Sequence, residues 1–181
     1  MTDNGSDTER EFFVTGAKTY LDVDDAMAEF RRVVREECTS VASQRMEEIK
    51  QACQMDWTRN SLKDYFWRAP NGFHFGKKIP VKELGTAGGL YFCLALLRED
   101  DRPNLEAVVY LFRDGASRAV ELWPRLAGTP SEPAYRSNNN LTFTQRFSQD
   151  RILEFKEHLN KTVDDFIAFI SSAGGLRRFL K

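Results

Sequence analysis

Two adjacent apolar runs constrain this chain more than any other feature of its sequence. GLYFCLALLRED (89–100) is apolar from Leu90 to Leu97, and LEAVVYLFRD (105–114) follows after a polar connection, EDDRPN (99–104). Short apolar runs bounded by turn residues are typical of buried strands, and a short polar connection favours an antiparallel hairpin. The sequence therefore predicts a central β-hairpin whose first strand is covered on both faces.

Five further segments complete the predicted architecture. GFHFGKKIPV (72–81) and LTFTQRF (141–147) alternate between apolar and polar residues, which is the period of a half-buried strand. Apolar residues recur at helical spacing from Asp22 to about Met55, around 116–123, and from about Gln149 to Ala173. The sequence thus predicts an α+β fold with a mostly antiparallel sheet of about four strands, in the order α-β-β-β-α-β-α. A long N-terminal helix and a C-terminal helix flank this sheet.

Three segments have less distinct patterns. Residues 1–10 are polar and are predicted to form a flexible tail before a single domain, 11–181. EFFVTGAKTYL (11–21) is predicted to contain a short strand. WTRNSLKDYFWRAPNG (57–72) fits either a short helix or a loop pinned by aromatic residues, and ends in turn residues.

Composition places the chain among ordinary globular proteins. Its 181 residues are 41% hydrophobic and 29% charged, so a chain of this size has enough apolar material for a core without disulfides or a metal. The net charge of −1 gives little support to non-specific nucleic-acid binding. Three cysteines and no visible secretory signal predict reduced thiols in the cytoplasm, with no membrane association.

Sequence motifs give no catalytic site and no cofactor. GTAGG (85–89) lacks the lysine and spacing of a phosphate loop, and its glycines lead into a strand, so a bend or a close backbone approach is expected. The chain has two histidines, His74 and His158, and no H-E-x-x-H, C-x-x-C or G-x-S-x-G motif. No resident metal is predicted from these residues.

The order of elements carries one resemblance. The predicted order over about residues 22–147 is one helix, three strands, a helix and a strand. This order resembles that of the core of the PD-(D/E)xK nuclease-like fold. That resemblance implies a divalent metal held by acidic residues near strand ends, for which Asp101 and Glu106 are the candidates. Ala107 and Val108 follow Glu106, so the expected lysine is missing and the implied metal site would be degenerate.

Two sets of residues are candidate binding surfaces. A phosphate-tracking surface would need basic clusters from the first helix and the first strand: Arg31, Arg32, Arg35, Lys77, Lys78 and Lys82. Apolar contacts with a protein partner, or with a second copy, would use the aromatic segment and the chain end: Trp57, Trp67, Leu176, Phe179 and Leu180. The leading hypothesis is a small cytosolic accessory protein that acts through protein–protein contacts without a catalytic site. The alternative is a nucleic-acid-binding or nuclease-like protein.

Overall fold

The computed structural model describes residues 4–55, 61–99, 102–114, 135–136 and 140–176. The chain divides into two compact units, Met1–Val33 and Val34–Lys181. Helix α1 (Asn4–Gln44) contains the boundary between them.

The unit Met1–Val33 is helical from Asn4 onward. The strand predicted in residues 11–21 was therefore wrong, and Asp22 lies inside a helix rather than at its start. A helix satisfies its backbone groups locally, whereas a strand needs a neighbour to pair with. The helix also includes residues 4–10, for which the sequence predicted a flexible tail. The prediction of a single domain over 11–181 stays a prediction.

The unit Val34–Lys181 contains an α+β fold. After α1 comes helix α2 (Met46–Cys53), and the strands follow in chain order: β1 (Lys63–Ala69), β2 (Gly72–Pro80), β3 (Gly89–Glu99), β4 (Arg102–Phe112), β5 (Tyr135–Arg136) and β6 (Asn140–Phe147). Helix α3 (Phe155–Ser172) follows, and two short 3₁₀ helices occupy Lys82–Leu84 and Gln149–Glu154. The helix predicted around residues 116–123 lies outside the described residues.

The six strands form one antiparallel sheet in the order β1-β2-β3-β4-β6-β5. The α+β class and the antiparallel sheet are confirmed, with five long strands and one two-residue strand instead of about four. The additional long strand is β1, in the segment for which the sequence left helix and loop open. Its aromatic residues fit a strand because β2 pairs with all seven of its residues.

The central hairpin is confirmed, with longer strands than predicted. β3 pairs with β4 from Gly89↔Phe112 to Glu99↔Arg102, so four of the six residues predicted as connection belong to strands. Leu94 and Val109 are fully buried. Residues 90–95 of β3 are all buried, so both faces of this strand are covered and both are apolar.

One face of the sheet packs against helices. α3 lies on β3, β4 and β6, and α2 lies against α3. The ring of Phe143 in β6 contacts Phe166 and Phe169 of α3 at centroid distances of 5.7 and 5.5 Å. α3 is followed by two left-handed glycines, Gly174 and Gly175, which confirms the predicted helix stop.

The opposite face carries a second buried cluster, formed by Tyr91, Cys93, Ala95 and Val108. Two further tyrosines pack against it: Tyr110 stacks on Tyr91 at 4.3 Å, and Tyr65 meets Tyr91 edge-on at 4.7 Å. Burial raises the pKa of Tyr65 to about 12 and that of Tyr110 further still. These hydroxyls are therefore neutral and serve packing. Within the described residues, no helix combines the length and apolar character needed to cross a bilayer.

Candidate partner-binding surface

The β1–β2 hairpin presents aromatic side chains that the rest of the fold leaves exposed. A tight turn at Pro70 and Asn71 joins the two strands, and their register sets Phe66 opposite Phe75, Trp67 opposite His74 and Arg68 opposite Phe73. β1 is the first strand of the sheet order and pairs only with β2 among the described strands. The hairpin therefore forms one edge of the sheet.

The exposed residues of this edge lie on both faces of the hairpin. Phe66 and Trp67 are each 49% exposed and Phe73 is 36% exposed. The Phe66 and Phe73 rings stack with centroids 6.1 Å apart, and the Arg68 guanidinium lies 6.0 Å from the Phe73 centroid. We call Phe66, Trp67, Arg68, Phe73 and Arg98 the edge surface. Because large aromatic side chains are normally buried, these exposed rings make the edge surface a candidate interaction site.

A shallow groove of about 470 Å³ lies at the turn end of the edge surface. It is lined by residues 68–73 and 96–98. Arg68, Phe73 and Leu96 are register partners across three strands and so lie side by side on one face. The backbone N–H of Arg98 donates to the Asn71 carbonyl at 2.7 Å, which joins the turn of the hairpin to β3. The groove thus combines an apolar floor with two guanidinium groups.

Neither guanidinium of the groove has a carboxylate partner among the described residues. The ion pairs described in this part of the chain involve other basic groups, and the Arg68 guanidinium lies beside the Phe73 ring. Two arginines beside an apolar groove can bind a carboxylate with paired hydrogen bonds. The edge surface is therefore suited to a ligand with both apolar and acidic groups.

Trp67 lies on the opposite face of β1 from Phe66, because successive strand residues alternate. Its ring is 5.0 Å from that of His74, its register partner. Burial lowers the pKa of His74, and its buried Nδ1 has no hydrogen-bond partner within the described structure. Aromatic contact is thus available on both faces of the edge strand.

Four of the six basic residues proposed for nucleic acid have partners within the unit to which they belong. In the unit Met1–Val33, Arg32 forms an ion pair with Glu29 at 2.6 Å, and the preceding residue, Arg31, is half-buried. In the other unit, Arg35 and Lys77 converge on Asp64, at 3.4 and 2.6 Å.

The two remaining lysines lie elsewhere. Lys78 follows Lys77 in β2 and points to the opposite face of the sheet. Its Nζ donates to the Ala87 carbonyl at 2.6 Å and lies 5.0 Å from the centroid of Tyr91. Lys82 is exposed in the first 3₁₀ helix. The nucleic-acid surface stays a prediction, since four of the six basic groups already have partners in the chain.

Of the two candidate metal ligands, the structure describes Glu106 alone. Glu106 lies on β4, and its carboxylate accepts hydrogen bonds from the guanidinium of Arg146, its register partner, at 2.9 and 3.0 Å. Asp101 lies outside the described residues. No cluster of three metal-binding side chains occurs in the described part of the chain.

The histidines and cysteines are packing residues in the described structure. His158 is buried in α3 and stacks on Phe147 with centroids 4.6 Å apart. Cys38, Cys53 and Cys93 are buried free thiols, as predicted. Burial raises the pKa of all three, which disfavours the reactive thiolate.

The glycine turn before β3 has the predicted structural role. Gly85 has φ of +94°, and a Cβ on Gly88 would lie 2.1 Å from the Leu84 carbonyl oxygen, so both positions require glycine. The Ala87 N–H in this turn donates to the Asp114 carboxylate at 3.1 Å. Because a carboxylate of the chain already accepts from this turn, it is built as a structural bend.

The apolar partner residues from the sequence have different locations. Trp67 belongs to the edge surface. Leu176 is buried, and its backbone N–H donates to the Cys53 carbonyl at 2.9 Å, so its side chain packs within its own unit. Trp57, Phe179 and Leu180 lie outside the described residues.

The aromatic segment predicted as a contact surface includes Phe66, but the sequence did not identify Arg68, Phe73 and Arg98 as site residues. The signal that could have found them is the turn sequence Pro70-Asn71-Gly72, because a tight turn there pairs 66–69 with 72–75. No match to this chain is found among protein-family models, curated proteins or solved structures.

Proposed function

We propose that this chain is a protein-binding accessory protein of the cytoplasm whose edge surface receives an extended segment of a partner. The observation that carries the proposal is the exposure of Phe66, Trp67 and Phe73 on the edge strand of the sheet. The buried free cysteines support a reducing compartment.

The mode of binding follows from the position of β1. An edge strand has a row of backbone N–H and C=O groups directed away from the sheet, and an added strand can pair with them. Natural edge strands are often protected by proline or by being very short, but β1 has seven residues and no proline. Phe66 and Trp67 would then contact alternate side chains of the added segment on the two faces.

The chemistry of the groove sets the character of that segment. Arg68 and Arg98 would pair with an acidic side chain or a terminal carboxylate, while Phe73 and Leu96 would contact an apolar neighbour. The partner segment is therefore extended, apolar at alternate positions and acidic at one end. The proposed role of the tyrosine cluster behind the edge is to keep β1 and β2 in place.

A displayed library of random linear peptides, selected on the full chain, tests this proposal. We expect the selected peptides to combine apolar and acidic residues, and to bind Trp67→Ala and Arg68→Ala at least about tenfold more weakly. Leu153→Ala is the matched control because Leu153 is 95% exposed and lies in the 3₁₀ helix Gln149–Glu154, outside the edge surface. Amide hydrogen exchange of β1 should slow when a peptide is bound.

Two results would reject the proposal. One is that no selected peptide discriminates Trp67→Ala from Leu153→Ala. The other is that a labelled oligothymidylate binds the edge surface more tightly than any peptide and is lost with rising salt. Aromatic rings with arginines also stack nucleic-acid bases, so this second result would move the edge surface to single-stranded nucleic acid.

A further inference from the structure

The N-terminal part of α1 carries an apolar repeat whose first four residues are exposed. Phe13, Tyr20 and Met27 recur every seven residues, and Gly16, Val23 and Phe30 recur at the same interval, three positions later. These two sets are the a and d positions of a heptad repeat, which forms the seam between helices in a coiled coil. We call these six residues the α1 seam.

The seam is exposed from Phe13 to Val23, whereas Met27 and Phe30 are half-buried. Tyr20 and Phe13 are each 72% exposed and Val23 is 56% exposed. A Cβ placed on Gly16 would have no atom within 4 Å, so this position has room for a large side chain from outside. Phe12 and Val33, which are the flanking g positions of the same heptads, are also exposed. An apolar stripe of this kind requires a partner surface.

The charges beside the seam favour an antiparallel partner of the same sequence. Residues 22–29 contain four acidic side chains and no basic one, whereas residues 14–21 contain Lys18 and no acidic one. A parallel, in-register pair would place the two acidic segments side by side, at a cost in repulsion. An antiparallel pair centred between Leu21 and Asp22 places each acidic segment against residues 14–21 of the other copy.

The sizes of the seam residues fit the same arrangement. That centre aligns Gly16 with Met27 of the second copy, and Tyr20 with Val23, so a small residue meets a large one in each of these layers. Phe13 aligns with Phe30. An in-register parallel pair would instead oppose Gly16 to Gly16 and Tyr20 to Tyr20, which alternates a void with a bulky layer.

We propose that residues 10–33 of α1 bind the same residues of a second copy of this chain as an antiparallel two-stranded coiled coil. At 1.5 Å per residue the overlap is about 36 Å long. A lipid surface fits less well, because membrane-surface helices are rich in Lys and Arg, and this segment has four basic and five acidic side chains.

Sedimentation equilibrium of the full chain tests the dimer. We expect the mass of two chains at micromolar concentration, and a dissociation constant raised about a hundredfold by Tyr20→Glu, because the dimer would bury the new carboxylate. Leu21→Glu is the matched control, since Leu21 is its exposed neighbour at position b, outside the seam. Circular dichroism verifies that the variants stay folded. A single-chain mass for the unmodified protein, or equal effects of the two variants, would overturn the proposal.

Disulfide trapping tests the orientation. Mixing a Gly16→Cys chain with a differently tagged Met27→Cys chain should give the mixed disulfide, because the antiparallel register brings these positions together. The native cysteines are buried and do not compete. In a parallel pair the two positions lie about 16 Å apart along the axis, beyond the reach of a disulfide. Preferential Gly16→Cys homodimers would overturn the antiparallel arrangement.

Vesicle co-sedimentation separates a second copy from a membrane as the occupant of the seam. With vesicles of phosphatidylcholine and phosphatidylserine, we expect the full chain to stay in the supernatant. Co-sedimentation that Tyr20→Glu abolishes and Leu21→Glu retains would reject the second copy and assign the seam to lipid.

Discussion

Helix α1 carries apolar residues at seven-residue spacing from Phe13 through Val34 to Val41, yet the two parts of the helix differ in burial. In the unit Val34–Lys181, Val34 and Val41 are buried, whereas in the unit Met1–Val33, Phe13 and Tyr20 are largely exposed. The apolar residues of the same sequence pattern are thus buried in one part of the helix and largely exposed in the other. An amphipathic pattern identifies the side chains that need cover, but not the element that supplies it.

Replacing one leucine in each unit should give the largest contrast. Leu94→Ala removes a fully buried side chain between β2 and β4 and should lower the free energy of unfolding by about 2–5 kcal/mol, through lost transfer energy and a cavity. Leu21→Ala changes a side chain that is mostly exposed, and its effect should stay within about 0.5 kcal/mol. Urea unfolding followed by circular dichroism measures both, and similar values would remove the distinction between the units.

Replacing two glycines with alanine should change the stability of their regions in opposite directions. A Cβ on Gly76 would lie 2.0 Å from the Phe92 carbonyl oxygen, so Gly76→Ala forces β2 and β3 apart and should cost about 1–3 kcal/mol. Gly16 lies in α1 with open space around it, so Gly16→Ala should stabilise the helix by about 1 kcal/mol.

The measurement for the glycine pair is amide hydrogen exchange, because it reports each region separately. Exchange should become faster in β2 and β3 for Gly76→Ala, and slower in residues 10–33 for Gly16→Ala. Faster exchange in residues 10–33 of Gly16→Ala would show that the open space around Gly16 is absent in solution.

The smallest expected effect is a pH dependence confined to Val34–Lys181, where both histidines lie. Burial lowers the pKa of His74 and of His158 below the ordinary value. As pH falls below about 6.5, the unfolded chain binds protons that the folded chain does not, so stability should fall between pH 7.5 and 5.5. His158→Phe keeps the stacking on Phe147 and should reduce the slope of stability against pH. A slope unchanged in the variant would show that His158 titrates normally when folded.

Much of the fold was predictable because its main signals are local. The alternation in β2 and β6, the apolar runs of β3 and β4 and the glycines after α3 each identified an element within a few residues. Boundaries were less predictable. The β3–β4 hairpin continues through Arg98↔Pro103, since pairing with a neighbour outweighs the turn preference of Pro103.

The candidate site was predictable only in part. Trp67 was identified from its aromatic segment, but Phe73 and Arg98 of the edge surface come from β2 and β3, and register brings these strands together. Arg35 and Lys77 show the converse. The sequence suggested both for a phosphate-binding surface, but each forms an ion pair with the carboxylate of Asp64, which is 13 residues or more away in the chain. Contacts between distant residues leave no local pattern in a sequence.

The sequence by itself determined the α+β class, the central hairpin, the amphipathic helices and the structural use of the glycines, because hydrophobic period and backbone restrictions act over a few residues. The tertiary structure decided that residues 63–69 form an edge strand, that residues 11–21 are helical and that Leu176 is buried. It also decided which aromatic side chains stay exposed. Each of these outcomes depends on whether another part of the chain supplies a pairing strand or an apolar surface, which is a property of the folded molecule.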